Sequence, residues 1–247
     1  MREKIVYVEG ESDKIFLTIL NEVKNLGLKD SNIINCGSKD KLSKEAESIK
    51  EYLKAKDIYI VFDSDNQTKE TKIQEIKEQL QKNPKEEHRL NDEEFNQIKI
   101  FLFPENNETK HDPNYCELEH LLEKMAKESE NKAFYKVFCE SYEEFFNKIK
   151  QIKPIQSEQK KRAKCWLQPY ITLSVCLNRG FVPCGLNDLD PVSTTAKMID
   201  KPKNTEILKK LFNFDSTEQK PLIFISIRIF LKLSLNHLES FVAIKSL

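Results

Sequence analysis

Acidic residues follow two hydrophobic runs of the sequence, at positions where they could bind a divalent metal. Residues 4–8 lead into Glu9, and residues 58–62 lead into Asp63 and Asp65. β-branched runs that end at a glycine or at an Asp/Ser cluster are typical of buried strands that stop at a turn. Ligands bind at the carboxyl ends of parallel strands, and carboxylate oxygens are preferred ligands of Mg²⁺ and Mn²⁺. The sequence therefore predicts a metal site where these strands end.

Asp63 and Asp65 are two residues apart, and side chains two apart on an extended backbone point to the same side. Both carboxylates could face one ion if the strand geometry continues through Asp65. Asp and Ser are also preferred N-cap residues of helices, so this motif alone fits a turn or a cap equally well. The same holds after Glu9, where Ser12 or Asp13 could cap a helix. Neither motif identifies a metal site by itself.

The residues between the two motifs alternate between helical and strand patterns. Apolar spacing predicts a helix over residues 14–24, a strand over 32–36, a helix over 39–55 and a strand over 57–62. The resulting βαβαβ order predicts a parallel sheet with right-handed crossover connections. Glu9 and Asp63 are then expected at the same edge of that sheet.

The rest of the sequence divides into a sheet-forming part and a helical part. A helix over residues 68–83, a strand over 97–103 and a helix over 117–126 complete an α/β domain predicted for residues 1–130. Its fold class is a parallel four-stranded sheet flanked by helices. Residues 131–247 are predicted to form a mainly helical appendage with an irregular hydrophobic tail. In that tail, isoleucines alternate with other residues within residues 221–235. This pattern fits a strand as well as a helix.

Composition limits the expected partners and location. The 40 Lys and Arg residues balance the 40 Asp and Glu residues, so a nucleic-acid partner would need a local basic patch. The six cysteines show no C-x-x-C spacing, which argues against a zinc site and favours reduced, buried thiols. The sequence shows no export signal and no apolar run of membrane-spanning length. A cytoplasmic protein without a membrane partner is therefore expected.

The two acidic motifs together resemble the Toprim domain, which topoisomerases, bacterial primases, small RNA-maturation nucleases and overcoming-lysogenization-defect (OLD) nucleases share. In that family a first strand ends in Glu, usually followed by Gly, and a later parallel strand ends in Asp-x-Asp. Glu9 with its following glycine is similar to the first motif, and Asp63 with Asp65 to the second. The resemblance covers roughly residues 4–128 and includes small stand-alone OLD-like proteins of bacteria.

Two further acids extend the resemblance. Asp13 lies four residues after Glu9, where the primase and OLD branches also place an acid. Glu119 matches a Glu at the head of the helix after the fourth strand, with Glu117 as the competing candidate. Considered by itself, Glu119 could equally well be a carboxylate in the first turn of a helix, where it interacts with the helix dipole.

The resemblance implies a site for Mg²⁺ or Mn²⁺. Asp63 and Asp65 would be metal ligands, and Glu9 would be a metal ligand or a general acid or base. Asp13 and Glu119 would complete a second metal position, as in two-metal phosphodiester cleavage. These five acids are the expected metal ligands, and Glu9, Asp63 and Asp65 are also the expected catalytic acids.

A basic cluster in the helical part is the expected contact surface for the substrate. Its cations could neutralise phosphates while the neighbouring Trp166 and Tyr170 stack on bases. Lys161 or Lys164 could also stabilise developing phosphate charge, and Lys164 is included among the expected catalytic residues. An ordinary solvated helix face, with Trp166 in the core, is the competing interpretation. The cluster consists of Lys148, Lys150, Lys153, Lys160, Lys161, Arg162 and Lys164.

Elimination among the Toprim activities leaves a stand-alone nuclease. The 247 residues leave no room for a topoisomerase gate, and the sequence lacks a primase zinc module and the P-loop of an OLD ATPase. The expected function is that of a metal-dependent endonuclease acting on DNA or structured RNA. It could serve in phage defence or RNA maturation, and the protein could form a homodimer. The alternative is a non-cleaving Toprim module that binds nucleic acid or a partner, as in recombination mediators. A phosphotransfer enzyme acting on a small nucleotide is a weaker third interpretation, because no phosphate-binding glycine loop is evident.

Overall fold

The described part of the chain falls into two units. The computed structural model describes residues 2–65, 67–103, 117–152, 166–178 and 202–214. The first unit contains the described residues up to Glu117, and the second contains those from Leu118 onward. No helix among these residues is long and apolar enough to cross a membrane. Cys36 and Cys139 are free thiols, of which Cys36 is buried as predicted and Cys139 is only partly buried.

The first unit is built on a four-stranded parallel sheet. Its strands are β1 (Glu3–Val8), β2 (Ile33–Asn35), β3 (Lys56–Asp63) and β4 (Lys99–Phe103). They are arranged in the order β2-β1-β3-β4, so β1 and β3 are the central pair. The predicted α/β class and the parallel sheet are therefore confirmed.

Helices connect the strands, as parallel pairing requires. They are α1 (Glu11–Lys24), α2 (Ala46–Leu53), α3 (Lys69–Gln81) and α4 (Asp92–Phe95), with 3-10 helices at Asp30–Asn32, Lys39–Glu45 and Glu86–His88. The single helix predicted over residues 39–55 is thus a 3-10 helix followed by α2. Buried residues spaced three or four apart fit either geometry over a few turns, so apolar spacing alone could not separate the two.

The core surrounds the two central strands. Residues 5–8 and 58–62 are all buried, which explains why both strands have continuous hydrophobic runs instead of alternating ones. Phe62 of β3 belongs to a buried cluster that also contains Ile49 of α2 and Ile76 of α3. This packing holds the carboxyl ends of β1 and β3, where the two acidic motifs begin.

The described residues of the second unit form helices around an aromatic core. The helices are α5 (Leu118–Lys127), α6 (Lys132–Ile152), α7 (Leu167–Asn178) and α8 (Pro202–Leu211). The ring centroid of Tyr170 lies 5.4 Å from that of Tyr135 and 5.6 Å from that of Trp166. The hydrophobic tail predicted at the end of the sequence lies outside the described residues.

Glu3 joins the start of β1 to the connection before β2 and to the start of β3. Its Oε1 accepts hydrogen bonds of 3.1 Å from Lys29 Nζ and from Asn32 Nδ2, and its Oε2 lies 3.0 Å from Lys56 Nζ. Hydrogen bonds from Asn32 and from the two lysines lower the pKa of Glu3 to about 2. The charged form of Glu3 therefore stabilises the fold.

Glu3→Gln is expected to destabilise the protein near neutral pH and to have little effect in strong acid. A carboxyl group with a lowered folded-state pKa stabilises the fold above its ordinary value of 4.5, and this stabilisation is lost as the pH falls toward about 2. Urea unfolding of both proteins across this range measures the difference. Glu22→Gln, at an exposed position of α1, is the control. A difference between wild type and Glu3→Gln that stays constant with pH would contradict the prediction.

Candidate metal centre

Glu9 and Asp63 lie side by side at the carboxyl edge of the sheet. Glu9 directly follows β1, and Asp63 is the last residue of the adjacent parallel strand β3. The backbone amide of Asp63 donates a hydrogen bond of 3.1 Å to Glu9 Oε1. Asp63 is 8% exposed. The structure therefore brings together the first acids of the two motifs, as the strand order predicts.

Asp65 follows Asp63 through a turn and not through an extension of β3. The strand ends at Asp63, and Asp65 has a φ of 52°, in the left-handed region that aspartate tolerates better than most residues. The Ser64 amide donates to the Phe103 carbonyl at 3.2 Å, which ties this turn to the end of β4. The condition under which Asp63 and Asp65 were expected to point to the same side, an extended backbone through Asp65, is therefore not met.

A buried lysine connects the acidic residues. Lys72, in the first turn of α3, is 1% exposed. Its Nζ lies 2.7 Å from Asp65 Oδ2 and 3.8 Å from Glu9 Oε1, and it is also 3.9 Å from Glu75 Oε2. Lys39, from the 3-10 helix before α2, places a second ammonium group 2.8 Å from the same Asp65 oxygen. Two cations therefore hold Asp65, and one of them also contacts Glu9.

Sequence reasoning did not identify Lys72, although the sequence carries a signal for it. Lys72, Ile76 and Leu80 are spaced by four and are all buried on one face of α3. A lysine is almost never fully buried unless it is paired with a charged group. Its position on an apolar stripe therefore predicts a carboxylate opposite it. Lys39, which is 39% exposed in its side chain, carries no comparable signal.

Glu9 and Asp65, two of the three carboxylates that Lys72 contacts, differ in their affinity for a proton. Burial, helped by the nearby charge of Asp65, raises the pKa of Glu9 to about 7 despite the opposing effect of Lys72. Burial also acts on Asp65, but hydrogen bonds from Lys39 and Lys72 outweigh it and hold the pKa of Asp65 below its usual value. Asp65 is therefore a firmly charged carboxylate, and Glu9 can take up or release a proton near neutral pH.

The other predicted site residues lie on helices or outside the described residues. Asp13 is in the first turn of α1, where its Oδ2 accepts a hydrogen bond of 2.9 Å from the Gly10 amide. Glu119 is in the first turn of α5, in the second unit. Lys164 falls outside the described residues. Asp13 and Glu119 thus occupy first-turn positions, where a carboxylate interacts favourably with the helix dipole.

The acids fit a divalent cation by their chemistry. Glu9, Asp63 and Asp65 carry the hard oxygen ligands that Mg²⁺ and Mn²⁺ prefer. The Lys72 ammonium contacts both Glu9 and Asp65, and so acts there as a stand-in for a cation. Within the described ranges, no three Asp, Glu, His or Cys side chains form a ready metal-binding group. The donor set therefore suits a metal ion, while its present arrangement is one of salt bridges around Lys72.

The aromatic residues expected to stack on bases belong to the core of the second unit. Trp166 is 6% exposed and Tyr170 is fully buried. The interpretation of Trp166 as a core residue is therefore correct, and the expectation that Tyr170 stacks on bases is wrong. Lys148 is exposed on α6 and pairs with Glu144 at 2.7 Å. Residues 153–164, which carry most of the predicted basic cluster, lie outside the described residues.

Tyr170→Phe is expected to raise the free energy of unfolding by about 1 kcal/mol. Within the described part of the chain, the buried Tyr170 hydroxyl has no hydrogen-bond partner, so its removal relieves a desolvation cost. Urea unfolding measures the change, and affinity for nucleic acid should stay the same. Tyr135→Phe is the matched control, because the Tyr135 hydroxyl donates to Glu123 at 3.2 Å and its loss should destabilise. Destabilisation by Tyr170→Phe would indicate a hydrogen bond at that hydroxyl.

A known family model covers both the sheet and the acidic site. The model, described as "Protein of unknown function (DUF3226)", matches residues 3–171, which is more than half of the 247 residues. The matched stretch contains the four strands, Lys72 and both acidic motifs. No curated protein and no solved structure matches the chain significantly.

Proposed function

The chain belongs to the DUF3226 family, and we propose that it is a Mg²⁺- or Mn²⁺-dependent endonuclease that cleaves phosphodiester bonds of DNA or structured RNA. The observation that carries the proposal is the position of Glu9, Asp63 and Asp65 at the ends of the central strands β1 and β3. The Asp63 amide donates to Glu9 there, and the Lys72 ammonium contacts both Glu9 and Asp65. Carboxylates at the ends of adjacent parallel strands are suited to hold a cation against a phosphate. The same acids carry the resemblance to Toprim nucleases.

Each acid has a role that its surroundings support. The cation would be held by Asp63, Asp65 and Glu9. Asp63 is fixed at the end of β3, and two lysines keep Asp65 charged. A divalent cation bound there would stabilise the negative charge that develops on the phosphate during cleavage. As the alternative to binding the cation, Glu9 would accept a proton from the attacking water or return one to the leaving oxygen.

A non-cleaving module that binds nucleic acid or a partner protein is the second candidate. The observation that favours it is the salt bridge of 2.7 Å between Lys72 and Asp65. An aspartate neutralised by a buried ammonium group can serve a purely structural role, without a metal ion. The two candidates differ in whether the bound nucleic acid is cut.

Incubation of the full chain with supercoiled plasmid and with folded RNA separates the two candidates. Each substrate is tested with Mg²⁺, with Mn²⁺ and with EDTA, and both cleavage and electrophoretic mobility are recorded. The proposed nuclease gives cut products with metal and none with EDTA. Retarded but uncut nucleic acid in all three buffers would favour the non-cleaving module. Cleavage that continues in EDTA would refute the metal dependence.

A further inference from the structure

Lys72 is the only charged side chain on the buried stripe of α3 that it shares with Ile76 and Leu80. We infer that Lys72 is the resident counter-ion of the acidic site, and that a divalent cation binds only by displacing the Lys72 ammonium from Asp65. The inference deepens the proposed function, since it rests on the same acids being the metal ligands. It makes Lys72 a positioning residue that sets the affinity of the site for metal.

The positions of the charges carry this inference. Asp65 Oδ2 accepts from Lys72 Nζ at 2.7 Å and from Lys39 Nζ at 2.8 Å, so its strongest contacts are already taken by cations. Lys72 Nζ also lies 3.8 Å from Glu9 Oε1. A dication that contacted Glu9 and Asp65 would lie within a few ångströms of this ammonium group. Like charges at such a distance repel strongly in a buried site, so the ammonium must leave when the metal enters.

Glu75 provides a place for the displaced ammonium. Its Oε2 lies 3.9 Å from Lys72 Nζ, one turn further along α3, and the Glu75 side chain is 31% exposed. The four-carbon stem of lysine allows its ammonium to turn from one carboxylate to another without movement of the helix. Gln67 Nε2 donates to the same Glu75 oxygen at 3.1 Å and so positions this second acceptor. Lys72 thus has two partners inside the acidic site, Asp65 and Glu9, and a third, Glu75, at its border.

Titration of the purified chain with Mn²⁺ alone, followed by electron paramagnetic resonance of the free ion, tests the inference. Lys72→Met should bind Mn²⁺ at least about tenfold more tightly than wild type, because the competing ammonium group is gone. Lys77→Met is the matched control on the same helix, where Lys77 pairs with Asp92 at 2.8 Å, and it should bind as wild type does. Affinity in Lys72→Met that is equal to or weaker than that of wild type would overturn the inference.

Two further variants apply if Lys72→Met does not fold in the absence of metal. Lys39→Met removes the more exposed of the two cations on Asp65 and should bind Mn²⁺ several-fold more tightly. Glu75→Gln removes the second acceptor of the Lys72 ammonium and should bind Mn²⁺ several-fold more weakly. Unchanged affinity in both variants would overturn the inference.

The Mn²⁺ titration contains no nucleic acid, so its result is separate from that of the cleavage assay. If Mn²⁺ affinity follows the expected order but no substrate is cut, the inference stands and the proposed nuclease fails. If cleavage depends on metal but the affinities of the variants do not differ, the nuclease stands and the role of Lys72 fails.

Discussion

Asp63→Asn is expected to reduce metal-dependent cleavage of plasmid or folded RNA about a thousandfold. Asparagine preserves the size of the side chain and the backbone amide that donates to Glu9 Oε1. It removes the negative charge from a position that is 8% exposed and fixed at the end of β3. A bound cation contributes several kcal/mol to stabilising the transition state, and about 1.4 kcal/mol corresponds to a tenfold change in rate. Initial rates of plasmid nicking in Mn²⁺ measure the loss.

The matched control for this substitution is Asp30→Asn, which changes the same chemical group at an exposed position in a 3-10 helix. It should cleave at the wild-type rate. Circular dichroism of Asp63→Asn should show that the fold is retained, so that any loss of activity can be assigned to the lost charge. A well-folded Asp63→Asn protein that cleaves within a few-fold of wild type would remove Asp63 from the site.

Lys72→Met is expected to lower the free energy of unfolding by about 3–5 kcal/mol in metal-free buffer. Methionine fills much of the same space, but it leaves Asp65 and Glu9 without the ammonium group that contacts both. Removing one partner of a buried ion pair is costly because the remaining charge stays out of water. Urea unfolding in the presence of EDTA measures the loss. Lys77→Met, which breaks a more exposed pair with Asp92, should cost far less, because solvent screens an exposed ion pair.

A double-mutant cycle shows whether this loss comes from the ion pair. Asp65→Asn removes the carboxylate that Lys72 contacts at 2.7 Å. The double variant Asp65→Asn/Lys72→Met should be more stable than the sum of the two single losses predicts, since neither charge is then left unpaired. Additive losses would mean that the contact with Asp65 does not contribute to the stabilisation that Lys72 provides.

The sheet could be predicted from the sequence because its central strands are buried on all sides. Residues 5–8 and 58–62 are continuous hydrophobic runs for that reason, and the helical segments between them fix the strands as parallel. The meeting of Glu9 and Asp63 then follows from strand adjacency, without knowledge of any side-chain contact. The part of the site that depends on backbone order was therefore predictable.

The part of the site that depends on side-chain charge was harder to predict. Most residues around Lys72 in the sequence are charged, and only its spacing from Ile76 and Leu80 indicates that it is buried. The left-handed backbone of Asp65 could not be predicted from an Asp-Ser-Asp motif that fits an extended strand as well as a turn. Such features are determined by contacts with distant elements.

Two helices whose positions were not predicted individually from apolar spacing carry local signals. Asn91 and Glu94 form a capping box at the start of α4, through reciprocal hydrogen bonds of 2.8 Å. Pro202 is the first residue of α8, a position where proline is favoured because its missing amide proton is not needed. Capping chemistry therefore indicates these two helices where hydrophobic periodicity does not.

The hydrogen bond from the Asp63 amide to Glu9 makes the state of the acidic site visible by nuclear magnetic resonance. The chemical shift of an amide proton depends on the charge of the oxygen that accepts it. The Asp63 resonance should therefore shift when Glu9 gains a proton and when a cation approaches its carboxylate. Because β3 is a buried central strand, the same proton should exchange slowly with deuterated solvent while the sheet is intact. One backbone signal can thus report separately on ligand occupancy and on local opening of the protein.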